Sequence, residues 1–241
     1  MNPVATFGCG TVEALLERAR RVCPLPDPGE GDEPSRRGWR KSTTDPARLL
    51  AAFPSLRLKP GLALRAYIYR ESIGGNGVIW AMPESEPFPE PNGCPRERDG
   101  FLDPPRPPGA AEVADAIEGD GSPGSYLEAS LFLREAKEFG AWWHGLDWHT
   151  HEILFSDPWA QPSRGGEPFA DRGHWDWLAP EPTEWRPTVW STGDMVRVTL
   201  HTRSACGQQA ICAYEDTYRV GSYRPDTNRS VVASGPMGYI F

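Results

Sequence analysis

A chain of 241 residues with 33 acidic and 25 basic side chains carries a formal charge of −8. That charge disfavours a general nucleic-acid or acidic-membrane binder, because such binders draw affinity from net positive charge. No stretch approaches the roughly 20 apolar residues that cross a bilayer, the five cysteines (9, 23, 94, 206, 212) form no CxxC pair, and the first residues lack a basic start and apolar run. The expectation is a soluble, reduced, cytoplasmic protein with no membrane partner.

The first element is a short amphipathic helix over 11–23, where Val12, Leu15, Leu16, Ala19 and Val22 recur at helical spacing and Pro24 stops it. Residues 24–44 are polar and rich in proline and glycine, which reads as a loop. A second short helix is expected at 45–53, with Asp45 as cap and Pro46 at the first helical position. From residue 58 the period changes to two. Leu62, Leu64, Ala66 and Ile68 fall on one face of a strand, and Arg65, Tyr67, Tyr69 and Glu71 on the other. "SIGGNG" supplies turn residues, and "VIWAMP" returns as the second strand of a hairpin. Nine prolines between 83 and 108 exclude a central strand, so 83–109 is expected to cross the surface irregularly, ordered by Phe88 and Phe101.

The longest helix is expected over about 125–144. Ser125 and Glu128 have capping-box spacing, and Ala129, Phe132, Leu133, Ala136, Phe139 and Trp143 form an apolar stripe that leaves Arg134 and Glu135 to solvent. Gly145 supplies a left-handed stop, and His144 suits the helix C-terminus electrostatically. "DWHTHEILF" then alternates as a strand, residues 157–187 return to a loop rich in proline, glycine and tryptophan, and the last quarter reads as an antiparallel meander. These elements predict an α+β fold: a single domain over 1–241, mainly one antiparallel sheet packed against the long helix, with short N-terminal helices and loop segments at 24–44, 83–109 and 157–187.

Function is less legible. "AWWHGLDWHTHEIL" holds three of the five histidines. On a strand, His149 and His151 would be same-face neighbours, a two-point grip for a divalent metal, with Glu71, Asp147 or Glu152 as general base in a metal-dependent hydrolase. Against this, no HExxH, GxSxG, SxxK or calcium-loop pattern occurs. "RRGWRK", residues 36–41, mixes cations with an aromatic as single-strand binders do, though the net charge makes nucleic acid an unfavoured partner. The absence of catalytic patterns, ten tryptophans and an acidic middle, with 22 of the 33 acidic residues between 71 and 184, favour a non-enzymatic binding or interaction protein. Its aromatic and acidic surface would engage a protein partner or small ligand of basic character. Arg65, Tyr67, Tyr69 and Trp148 are the candidate ligand contacts, and no cofactor is required; the hydrolase alternative would need a divalent metal.

Overall fold

Period-two alternation dominates the chain, and in the computed structural model antiparallel strands carry most of the regular structure while helices are few. The structure describes residues 3–23, 37–71, 74–95, 102–160 and 171–239. Two compact units emerge: a composite unit, Met1–Glu13 with His149–Phe241, and a central unit, Ala14–Trp148. Among the described residues no helix is long and apolar enough to cross a membrane.

In chain order the elements are β1 (Pro3–Thr6), α1 (Cys9–Arg20), β2 (Gly38–Lys41), α2 (Ala47–Leu50), β3 (Leu56–Leu58), β4 (Leu62–Glu71), β5 (Gly74–Pro83), β6 (Ala111–Glu112), α3 (Val113–Ala116), β7 (Ile117–Gly119) and α4 (Pro123–Lys137). They continue with β8 (Trp142–Trp143), β9 (His151–Ile153), β10 (Asp176–Trp177), β11 (Thr188–Thr192), β12 (Met195–Ser204), β13 (Gln208–Arg219) and β14 (Asp226–Met237).

The central unit is built on the sheet β2-β4-β5-β6, with β8 on the free length of β5, and a small β3-β7 pair. Its long hairpin follows the sequence expectation, but its glycines do not make the turn. Gly74, Gly75 and Gly77 lie inside β5, opposite Glu71, Arg70 and Ile68. A Cβ on Gly77 would stand 1.8 Å from the Phe139 carbonyl oxygen, so the glycine permits a backbone approach that any side chain would block. Residues 38–41, expected in a loop, form edge strand β2 because Trp39 pairs with Tyr69 across the ladder; residues 24–36 lie outside the described ones. The proline-rich stretch holds no strand among its described residues from 84 to 109. It is tied to the sheet by Tyr67 donating to Pro89 O (2.8 Å), Trp80 donating to Pro105 O (2.7 Å) and Phe88 stacking on Tyr67. Phe101 lies outside the described residues.

α4 begins and ends earlier than its periodicity suggests. Ser122, not Ser125, is the N-cap and accepts from the Ser125 N–H, with Pro123 in the first turn. Glu128 therefore does not close a capping box; its carboxylate takes the Ser55 N–H (2.7 Å) and hydroxyl (2.9 Å). Ala129, Phe132, Ala136 and Phe139 are buried as expected, whereas Leu133 is half-buried. Glu135 is buried rather than exposed, because it accepts from Trp148 Nε1 (2.8 Å) and pairs with Arg20 (3.2 Å). Arg134 is half-buried beneath the Trp148 ring. The helix ends at Lys137, and the left-handed residue after it is Gly140, φ +76°, not Gly145.

The composite unit holds a seven-stranded antiparallel sheet, β1-β11-β12-β13-β14-β10, with β9 against the second half of β12. The expected hairpin over 62–82 and the strands after 187 thus belong to two separate sheets, each supplied with further strands: β2, β6 and β8 in one, β1, β9 and β10 in the other. One sheet face is covered by a cluster of Leu154, Trp175, Trp185, Ile211, Val232 and Ala233, with Trp159 and Trp177 packed against it. The last three residues of "RPDTN", Asp226 to Asn228, open β14, and Tyr239 makes one isolated bridge to Cys206.

Candidate functional site

The run 141–154 is divided among three environments, and the boundary between the two units falls inside it, between Trp148 and His149. Trp148 is 4% exposed and is a core residue: its indole N–H reaches buried Glu135. Asp147 is exposed, and its backbone N–H, like that of Trp148, is taken by Glu138 Oε1. Glu138 is itself buried, so its carboxylate serves as an internal cap for a chain segment that has no ladder of its own.

Between Glu138 and Trp148 the chain makes a tight turn. Gly145 N donates to Trp142 O and Leu146 N to Trp143 O, both at 3.0 Å. Gly145 is required because a Cβ there would lie 1.9 Å from Gly75 O. Arg70, fully buried, anchors the start of the segment by donating to Gly140 O (2.6 Å); burial, with Arg40 adding repulsion, pushes its guanidinium down to about 10. The turn presents Trp142 half-buried, Trp143 42% exposed and His144 exposed. Trp143 meets Trp142 edge-on (5.8 Å) and lies parallel to His144 (5.8 Å, 7°). Its φ of +49° makes it the one non-glycine residue with a left-handed backbone among the described residues. The place of Trp143 on the buried stripe of the long helix is therefore corrected: the helix has ended at Lys137, five residues before Trp142, and His144 stacks on an aromatic ring instead of meeting a helix terminus.

Register places this turn beside the aromatic side of the hairpin. Trp143 stands opposite Gly74, which stands opposite Glu71; in the next row Asn76 stands opposite Tyr69, which stands opposite Trp39. Trp39 and Tyr69 touch at 5.4 Å between ring centroids, and the Tyr69 hydroxyl donates to Glu71 (3.2 Å). Arg65, Tyr69 and Glu71 are half-buried. Tyr67 is fully buried under Phe88 and Cys94, and its hydroxyl is pushed above its usual range chiefly by that burial. Trp39 and Trp143 share rows with this face although the sequence does not mark them as ligand contacts; their sheet positions come from the pairing of β2 and β8, which no local pattern announces, while Trp142 stands in the neighbouring row opposite Gly75 and touches Trp143 edge-on.

His149 and His151 do not share a strand. His149 lies in a 3-10 turn, Trp148–Thr150, and His151 in β9. His151 is buried, with Nδ1 2.8 Å from Thr202 Oγ1 and Nε2 3.1 Å from Arg229 Nη2. A guanidinium has only hydrogens to give, so Nε2 is the acceptor and Nδ1 carries the proton toward Thr202. Glu152, half-buried, is held by Arg203 Nε at 2.6 Å. Among the described residues no three His, Cys, Asp or Glu side chains come together as a metal shell.

No family model, curated protein or solved structure matches the chain. The surface must therefore be judged by its own chemistry. Of the residues in "RRGWRK", Trp39 pairs with Tyr69, and Lys41 lies over Phe88 and pairs with Glu90 at 2.7 Å; Arg36 lies outside the described residues. Cys23, near Glu135, is pushed up to about 12 mainly by burial, the opposite of an activated thiol.

Proposed function

We propose that the chain is a cytoplasmic, non-enzymatic binding protein. Its aromatic and acidic surface, built around Trp39, Tyr69, Glu71 and Trp143, engages a protein partner or small ligand of basic character. The observation that carries this reading is Trp143. A left-handed backbone costs a residue other than glycine on the order of 1–2 kcal/mol, and an indole left 42% exposed forgoes part of the roughly 1.5–3 kcal/mol that full burial of a large apolar side chain is worth. A fold retains both costs where the ring serves an external contact, and here Glu138, Gly145 and Arg70 hold the backbone of the turn that carries it. Aromatic rings on rigid supports flanked by carboxylates suit a cationic ligand through ring faces and charge together.

Selection of a random peptide library against the immobilised protein tests the reading. Trp143→Ala should weaken the selected peptides about 30-fold or more, as removal of a hot-spot aromatic does. Glu71→Gln should weaken the basic ones. Trp143→Gly should fold at least as stably as the parent, because glycine relieves the backbone cost. Peptides that bind the parent and both side-chain variants equally would overturn the reading.

A further inference from the structure

The composite unit carries an independent aromatic and acidic feature within the stretch 154–185. Trp175 is clamped against β14: a Cβ on Gly235 would lie 2.7 Å from its indole, so glycine alone admits the ring. Trp177 belongs to β10, whose ladder pairs it with Ala233. Trp159 meets Trp175 edge-on (5.6 Å, 80°) and lies 5.9 Å from Trp177. Asp157 is oriented beside them, one carboxylate oxygen accepting from the Trp159 N–H at 2.9 Å.

Into this setting the chain places the guanidinium of Arg172. It lies 5.3 Å from the Trp159 ring centroid and 5.9 Å from that of Trp177. Nη1 pairs with Asp157 Oδ2 at 3.3 Å and Nη2 with Glu181. Two ring faces and two carboxylates around one planar cation are what recognition of a guanidinium needs. A lysine ammonium, a compact point charge, would use the fork geometry and the ring faces less well.

Trp159, Trp177 and Asp157 are fixed by contacts that do not involve Arg172, namely the Trp175–Gly235 clamp with Trp159 edge-on to Trp175, the β10 ladder and the Asp157 turn, whereas Glu181 closes the cage through the guanidinium itself. The occupant comes from a short 3-10 turn, Arg172–His174, and its side chain is 46% exposed, so one side of it faces solvent rather than core. Once it leaves, two carboxylates face the rings without a cation.

We propose that the cage of Trp159, Trp177, Asp157 and Glu181 is a binding site for the guanidinium group of an arginine ligand, and that Arg172 occupies it as an internal competitor. The site is separate from the surface around Trp143 and stands without it.

The test uses the full chain carrying Arg172→Gln, titrated by calorimetry and tryptophan fluorescence with N-acetylarginine amide and with a short peptide holding one central arginine. The variant should bind both probes saturably and at least about ten-fold tighter than the parent, since a competitor that fills the site lowers apparent affinity by the fraction it occupies. Lysine counterparts should bind more weakly, and adding Asp157→Asn and Glu181→Gln should abolish the response. Equal affinity for amide and peptide would assign the site to a free arginine derivative, and tighter peptide binding to an arginine of a protein partner. A folded Arg172→Gln protein that binds neither probe overturns the proposal. So does failure of both Arg172→Gln and Arg172→Lys to fold, which would make the guanidinium a structural clip.

Discussion

Glu138 is the residue on which the geometry of the Trp143 turn depends most directly, and its replacement can be worked out in advance. Its Oε1 accepts two backbone N–H groups, those of Asp147 and Trp148; the second is buried and the first is partly accessible. In Glu138→Ala the Trp148 N–H loses a charged acceptor in a place water reaches poorly, while the Asp147 N–H can turn to solvent. Hydrogen bonds to charged groups contribute roughly 1.5–3 kcal/mol each, so partial replacement of one of them leaves an expected loss of about 2–4 kcal/mol. Glu138→Gln keeps a carbonyl oxygen at the position of Oε1 and loses only the charge assistance, an expected cost of about 1 kcal/mol. Urea unfolding followed by circular dichroism measures both, and acrylamide quenching reads the exposure of Trp143 in the native state. The alanine variant should be less stable than the glutamine variant and more readily quenched. If the two variants match within about 0.5 kcal/mol, the carboxylate is not what holds the turn, and the account of Trp143 as a fixed contact loses its support.

Two further outcomes follow from buried groups. Phe132 is fully buried and meets Phe53 edge-on at 5.7 Å, so Phe132→Ala should cost about 3–5 kcal/mol in urea unfolding through lost transfer energy and the cavity left behind. Parent-like stability would mean that the buried face of α4 is misassigned. His201 is buried against Trp185, and burial holds its imidazole below the usual value of 6.5. The unfolded chain therefore takes up the proton first as pH falls, so this contribution to stability is present above about pH 6.5 and is lost as pH drops toward the lower folded value. Between pH 7.5 and 5.5 the parent should lose more stability than His201→Gln, and identical pH profiles of the unfolding midpoint would refute the assignment.

How much of this was readable in the sequence depends on whether a signal is local. The hairpin of β4 and β5 and the meander β11 to β14 follow from alternation and turn residues, because side-chain direction in a strand is set by position alone. Proline likewise excluded strands from the described part of 84–109. Gly74, Gly75 and Gly77 look like turn residues because a glycine demanded by a distant backbone, here Phe139 O at Gly77, is the same in sequence as one demanded by φ. Spacing puts Glu135 on the solvent face of the helix and gives Glu138 no signal at all, since a buried carboxylate is stabilised by partners such as Trp148 Nε1 and the Asp147 N–H, which only the closed turn supplies. Trp143 fits the helical stripe in spacing, and only the early end of α4 at Lys137 removes it. The alternation His149-x-His151 suggested a strand, but a 3-10 turn intervenes and each histidine acquires its own surroundings. Arg172 falls in the loop expected over 157–187; its nearness to Trp159 and Trp177 arises from the return of the chain through β10.

The single-domain expectation leads to a last prediction about cooperativity. The chain enters the composite unit through β1, passes through the central unit, and returns at residue 149. α1, Cys9–Arg20, has residues counted with both units, so the chain passes from one to the other inside a regular helix rather than through a linker. Short helices in isolation are marginal because nucleation is unfavourable, and a 12-residue helix cut at its first turn falls in that range. We therefore expect one urea transition, with circular dichroism and tryptophan fluorescence coinciding, and hydrogen exchange in β4–β5 and in β12–β13 reaching the same limiting free energy. Deletion of residues 1–8 removes β1, the partner of β11, and should lower the stability measured in both sheets together. A proteolytic fragment beginning near residue 149 that unfolds cooperatively by itself would break the argument. It would show that the meander needs neither β1 nor the shared helix, and that the two units fold as separate domains.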